Sequence, residues 1–203
     1  MGNVRARKLK KKRNNMRIAS FDIETTDLRA NMGTLLCASF HEIVPPGYYG
    51  NHHDTPNKPY TFVVEDTFVG DPNPDKTLAI KLRDEVEKYN AIVTWNGKMF
   101  DVPFLNARLL FHKERPVRPQ FHIDAMYYAG SSSNRIGSRR LASVQQFLGL
   151  ELEKTSLDWD IWKAATRGDK KALKYIVKHC EIDVQVLTEA YWRLLPYIAN
   201  IHR

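Results

Sequence analysis

The sequence predicts a mixed α/β fold: a five-stranded sheet, a three-stranded antiparallel meander then parallel strands, flanked by helices. Three observations lead there. Three strand candidates precede the first helical pattern, helices and strands then alternate, and only helical patterns follow the fifth strand. Residues 16–21 carry Ile18, Ala19 and Phe21 in a short apolar run, and residues 34–43 and 60–64 read the same way. Between the last two, residues 44–59 hold Pro45, Pro46, Gly47 and Pro56, the chemistry of a surface loop joining antiparallel strands.

Residues 71–75 form another loop, with Asp75 placed to cap a helix whose Leu78, Leu82, Val86 and Tyr89 fall at helical spacing. Residues 91–95 are a short buried-strand candidate ending at Asn96 and Gly97. A helix is expected after Asp101, with Pro103 in its first turn, where a missing N–H does no harm. Residues 121–126 give the fifth strand, carrying Asp124, and residues 131–138 are polar and flexible in character. Helical patterns cover residues 139–148, 156–165 and 170–197, with Pro196 marking the end. Trp159, Trp162, Tyr191 and Trp192 fall at helical spacings and are expected in the core. No internal repeat or second domain is visible.

The 203 residues suit one domain, 43% apolar and 27% charged. No apolar run approaches the ~20 residues of a membrane span, and neither a secretory signal core nor a full myristoylation start is present, since Ala6 stands where Ser or Thr is needed. Cys37 and Cys180 alone make neither a disulfide framework nor a cysteine zinc site, so an intracellular, cytoplasmic protein is expected (the host cytoplasm if of phage origin). The net charge of +8 is concentrated at the start. Arg5, Arg7, Lys8, Lys10, Lys11, Lys12 and Arg13 carry seven positive charges before any acid occurs, leaving about +1 for the rest. Residues 1–15 therefore read as a disordered basic tail for contact with nucleic acid, or as a solubilising or targeting tail, ahead of a domain over residues 16–203.

Four acids carry the chemistry. In a strand, residues two apart share a face, so Asp22 and Glu24 would present their carboxylates together while Ile23 points into the core. Asp101 closes Asn96–Gly97–Lys98–Met99–Phe100–Asp101, where an acid at a helix start is either a cap or a metal ligand. Asp183 lies in a helical segment. At ~100° per residue His179 falls ~40° from it, one turn away, whereas Lys178 falls ~140° away. Gathered at one point, four carboxylates would repel each other strongly, which makes physical sense only around divalent cations. The pair His52–His53 with Asp54 lies in a Pro/Gly loop and is assigned no site.

These motifs resemble the DEDD exonuclease superfamily of ribonuclease H-like nucleases. That group includes the proofreading domains of family B DNA polymerases and stand-alone phage-type relatives. Asp22–Ile23–Glu24 matches the first motif, Asn96 to Asp101 with Phe104 and Leu105 the second, and Asp183 with Val184 and Leu187 the third. One branch has a tyrosine four residues before the last aspartate and another a histidine five before it. This chain has His179 at four and Lys178 at five, with Tyr175 eight before.

The resemblance implies a ribonuclease H-like fold and a 3′→5′ exonuclease using two Mg²⁺ or Mn²⁺ ions to release nucleoside 5′-monophosphates. Asp22 would bridge the ions, Glu24 and Asp183 would complete the tighter site, Asp101 would hold the second ion, and His179 would position water. Leu28 stands where relatives place an apolar wedge against terminal bases, or is an ordinary loop leucine. Asn96, Phe100, Arg135, Arg139 and Arg140 are candidate substrate contacts, and Asp124 is a supporting or substrate-facing residue or a cap. Nucleic acid is the expected partner, DNA and single strands favoured, with a replication or recombination protein as a compatible second one. A catalytically silent nucleic-acid-binding module and a structure-specific endonuclease are the alternatives.

Overall fold

The computed structural model describes residues 16–44, 58–64, 74–130, 134–151, 155 and 157–198. The basic tail, the loop bearing His52 and His53, residues 71–73 of the 71–75 loop and residues 131–133 of the 131–138 segment lie outside the described residues. One five-stranded sheet organises the rest, in the order β3-β2-β1-β4-β5. The strands are β1 (Ile18–Thr25), β2 (Leu35–Ile43), β3 (Tyr60–Val63), β4 (Ala91–Thr94) and β5 (His122–Asp124). β1 pairs antiparallel with β2, and β2 with β3. β4 pairs parallel with β1, and β5 with β4. The expected antiparallel meander followed by parallel strands is what forms.

Among the described residues six helices flank the sheet: α1 (Lys76–Val86), α2 (Asp101–Phe111), α3 (Ala125–Ala129), α4 (Leu141–Phe147), α5 (Trp159–Thr166) and α6 (Lys170–Leu194). A single 3₁₀ turn, Leu195–Tyr197, holds Pro196 and ends the long last helix. Two boundaries depart from expectation. β1 runs on through Thr25, so both acids of the first motif lie within the strand, supported by β2 pairing as far as Leu35. β5 stops at Asp124 because the Asp124 carboxylate accepts from Met126 N–H at 3.2 Å and starts α3 there.

Strand alternation sorts β1 into two faces. Ala19, Phe21 and Ile23 pack with Leu78, Leu82 and Val86 of α1 and Leu105 and Leu109 of α2. Fully burying each such side chain contributes about 1.5–3 kcal/mol. Ile18, on the opposite face, packs with Leu187 and Tyr191 of α6. Ser20 shares that face and meets Thr188 of α6 through a 2.8 Å hydrogen bond. Asp22 and Glu24 follow on the same side. The strand thus points its greasy residues at one helical layer and its acids at the other.

Asp75 does not cap α1 with its side chain. It is fully buried instead, receiving Arg108 Nε and Nη2 at 2.7 and 2.8 Å, Leu35 N–H at 2.9 Å and His112 Nε2 at 2.8 Å. Burial opposes its ionisation, but those donors outweigh burial and hold the carboxyl below its ordinary range. The network ties α1 and α2 to the start of β2. No helix among the described residues is long and apolar enough to cross a membrane.

Candidate active site

β1, α2 and α6 bring the four acids to one place. On β1, Asp22 and Glu24 project toward α6. There the Cys180 thiol donates to the Asp22 carbonyl and to its Oδ2, each at 3.6 Å. Side-chain ligand atoms of Asp22, Glu24 and Cys180 lie within 4.8 Å of one another, as do those of Glu24, His179 and Asp183. His179 Nε2 stands 3.3 Å from Asp183 Oδ2, as their four-residue helical spacing predicts. Thr155 Oγ1 bonds the other ring nitrogen, Nδ1, at 2.5 Å and so sets the orientation of the imidazole.

Asp101 reaches the cluster from the first turn of α2. It is 2% exposed and accepts Ile23 N–H at 3.1 Å, which anchors it to the strand between the two β1 acids. The cap-or-ligand alternative is thereby resolved in part: the N-cap of α2 is Phe100, and the Asp101 carboxylate points across to β1. A built turn delivers it. Asn96 adopts φ of 67°, a left-handed conformation that asparagine tolerates better than most residues. Gly97 follows where a Cβ would lie 2.5 Å from the Thr94 side chain, so only glycine fits. Asp124 clamps the turn, accepting Asn96 N–H at 2.9 Å and Lys98 N–H at 3.0 Å. The capping reading of Asp124 holds, and the same carboxylate braces the turn that leads to Asp101.

The gathered carboxyls perturb one another's ionisation. Burial, then the charges of Asp101, Glu24 and Asp183, push the Asp22 carboxyl well above the ordinary carboxylate range. Burial with Asp183 and Asp101 does the same to Glu24. Burial raises Asp101 to about 7 despite the Ile23 N–H bond, with Asp124 adding to the rise. Asp183 is also raised by burial, with His179 partly offsetting it. Such groups share protons unless a cation joins them. The oxygen-rich donor set suits hard divalent ions such as Mg²⁺ or Mn²⁺. Cys180 fits as a hydrogen-bond donor: burial and its neighbours raise its thiol well above the usual range and keep the proton on.

A cleft of about 560 Å³ opens beside Glu24, lined also by Leu28, Phe100, Trp159 and Trp162. Leu28 is 80% exposed there, on a loop held by Thr26 and Thr34 through paired hydrogen bonds of 3.0 and 2.9 Å. Phe100 is partly buried, its ring 5.6 Å from Phe104. Trp159 corrects the sequence expectation of a core residue: it is 69% exposed. Helical spacing marks an apolar face, but among the described residues no element covers the start of α5. Trp162 and Trp192 are partly buried, and Tyr191 is buried as expected. Arg135, Arg139 and Arg140 are exposed on the segment between α3 and α4 and are not among the cleft's lining residues.

Sequence reasoning missed Cys180 and Thr155. Cys180 carried a signal, three residues before Asp183 on the same helix face; Thr155, 24 residues from its partner, carried none.

A family model for the RNase H superfamily matches residues 19–194. Among solved structures, the family B DNA polymerase from the hyperthermophilic archaeon Pyrobaculum calidifontis superposes with a TM-score of 0.66 at 15% identity. That match covers 90% of this chain and 25% of the polymerase, so the chain spans about a quarter of its length and shares a fold with that part. No curated protein matches the sequence. With a family match over most of its length and the sheet order and acidic cluster described above, the chain belongs to the RNase H superfamily.

Proposed function

We propose that the protein is a metal-dependent 3′→5′ exonuclease that hydrolyses the terminal phosphodiester of nucleic acid, single-stranded DNA in the first instance, and releases nucleoside 5′-monophosphates. The observation that carries the reading is the convergence of Asp22, Glu24, Asp101 and Asp183 with His179, at the edge of a cleft bearing an exposed leucine. The polarity and product follow from the motif resemblance, and the archaeal polymerase supports the fold alone.

Asp22, Glu24 and Asp183 would hold one ion and Asp22 and Asp101 the second. When bound, such a pair supplies charge neutralisation for the phosphate and makes hydroxide available near neutral pH. The Cys180 thiol, 3.6 Å from both the Asp22 carbonyl oxygen and Oδ2, supports an Asp22 carboxylate shared between the ions. Asp101 is locked by Ile23 N–H and by the Asp124-clamped turn behind it. In the tautomer whose Nδ1–H donates to Thr155, His179 Nε2 would take a proton from the attacking water, and Asp183 Oδ2, 3.3 Å away, would stabilise the imidazolium so formed. Leu28 would part the terminal base from its neighbour, and Phe100 would back the terminal nucleotide.

The test is a product ladder from 5′-labelled DNA and RNA oligonucleotides with Mg²⁺ or Mn²⁺, beside a circular substrate. Stepwise shortening from the 3′ end, with the circle intact, supports the reading. Cutting of the circle assigns an endonuclease, and Mn²⁺ binding without any nucleotide release assigns a silent binding module.

A further inference from the structure

We infer that Thr188 is a positioning residue for the acidic cluster: its hydroxyl pins α6 to β1 and β2 at one register, and so sets where Asp183 stands against Asp22 and Glu24. This rests on the metal-dependent nuclease reading above and concerns side chains that touch neither metal nor substrate.

Thr188 is fully buried, and its hydroxyl has three partners. It donates to the Val184 carbonyl at 2.9 Å, one turn back in α6. Its single hydrogen is thereby used, so Ser20 Oγ at 2.8 Å and His41 Nδ1 at 2.9 Å both donate to it. Ser20 lies on β1, and His41 stands directly opposite it on β2. One oxygen thus joins three elements, with His41 in the form that carries a proton on Nδ1.

The pin sits at matched depth on both sides of the site. Ser20 precedes Asp22 by two strand residues, ~6.6 Å, and Thr188 follows Asp183 by five helical residues, ~7.5 Å. Cys180, three residues before Asp183, meets Asp22 through its thiol, so polar contacts with β1 bracket Asp183 along the helix. Glu181 adds another tie to the sheet, accepting from Thr61 of β3 at 2.9 Å. The force these contacts resist is electrostatic, because Asp183 repels Asp22 and Glu24 across the gap between α6 and β1. The apolar contact of Ile18 with Leu187 and Tyr191 is non-directional and tolerates sliding. A buried hydroxyl with all of its partners in place admits one arrangement.

The experiment compares wild type with Thr188→Val, Thr188→Ser and Ser20→Ala in the full chain. Mn²⁺ affinity is read by calorimetry and turnover by steady-state hydrolysis of a labelled oligonucleotide, well below the thermal midpoint of every variant. Valine keeps the shape of threonine and removes the hydroxyl. Thr188→Val should weaken Mn²⁺ binding about 10-fold and lower kcat about 10- to 100-fold, with KM within about twofold. Thr188→Ser should restore most of both losses. Ser20→Ala removes only the β1 arm and should show a smaller loss of both. Val86→Ala, a core lesion against the other face of β1, is the control: its thermal midpoint should fall while Mn²⁺ affinity and kcat stay at wild-type values. Wild-type Mn²⁺ affinity in Thr188→Val overturns the inference, or in Ser20→Ala if the valine variant does not fold. An equal loss in Thr188→Ser or in Val86→Ala overturns it too. Wild type that binds Mn²⁺ without hydrolysis sinks the exonuclease reading alone, since the Mn²⁺ affinities still judge the pin. Wild type that hydrolyses, with Mn²⁺ affinity and kcat unchanged in the hydroxyl variants, sinks the pin alone. Absence of Mn²⁺ binding by wild type removes both.

Discussion

Asp101→Asn should inactivate the protein and, without metal, make it more stable. The carboxylate is 2% exposed and its pKa is displaced from 3.8 to about 7 by burial beside other acids. A raised acid pKa means that the folded state holds its proton more tightly than the unfolded chain. Stability is then complete below about 3.8 and is lost as pH rises through about 7. At ~1.4 kcal/mol per pKa unit, ionising this site costs about 4 kcal/mol at pH 7.5 and under ~1 kcal/mol at pH 4. Asparagine has the same shape and keeps an oxygen to accept Ile23 N–H, so the bond survives while the charge goes. Because the site is coupled to its neighbours, the gain expected is about 2–4 kcal/mol, a rise in thermal midpoint of roughly 5–12 °C. The assay is thermal unfolding in EDTA at about pH 4 and pH 7.5, repeated with millimolar Mn²⁺ at the higher pH. The variant should lead wild type at pH 7.5, converge with it at pH 4, and gain less from Mn²⁺. A variant less stable than wild type in EDTA at pH 7.5, or a gap that persists at pH 4, would refute the reasoning.

Other substitutions probe other parts of the account. His179→Ala should lower the turnover rate about 10²–10⁴-fold with little change in KM, as read by steady-state hydrolysis of a labelled oligonucleotide. Gly97→Ala should lower activity by shifting the turn that carries Asp101, because the added methyl meets Thr94; Mn²⁺ affinity should fall in parallel, as read by calorimetry. Asp75→Asn should destabilise the fold by about 3–5 kcal/mol in urea unfolding, by leaving buried Arg108 without its carboxylate. Since the Asp75 carboxyl is held below its ordinary range, its stabilisation is present above about pH 4 and is lost as pH falls through the lowered value. The Asp75→Asn loss should therefore shrink in strong acid.

What could be read from sequence followed local period. Asp22 and Glu24 were assigned one face because strand side chains alternate, and Ser20 confirms that face by bonding Thr188 of α6. His179 was placed beside Asp183 by helical spacing alone, and the 3.3 Å contact agrees. Contacts between distant segments were not legible. Nothing local to Asp75 announces Arg108 and His112, which reach it from 33 and 37 residues away. The sequence leaves Asp124 open between supporting, substrate-facing and capping roles because its clamp on Asn96 and Lys98 depends on β4 and β5 lying side by side. Trp159 shows the same limit from the other direction. Its spacing marks an apolar face, but whether a second element covers that face depends on packing that the local sequence does not encode.

The central claim is that the four acids form one divalent-cation site. Mn²⁺ titration followed by electron paramagnetic resonance tests it most directly, with wild type beside Asp22→Asn. Wild type should bind two Mn²⁺ per chain and show the spin coupling of adjacent ions, and Asp22→Asn should lose the coupling along with most of the binding. Mn²⁺ binding that is absent from wild type at millimolar metal, or that is unchanged in Asp22→Asn, would contradict it.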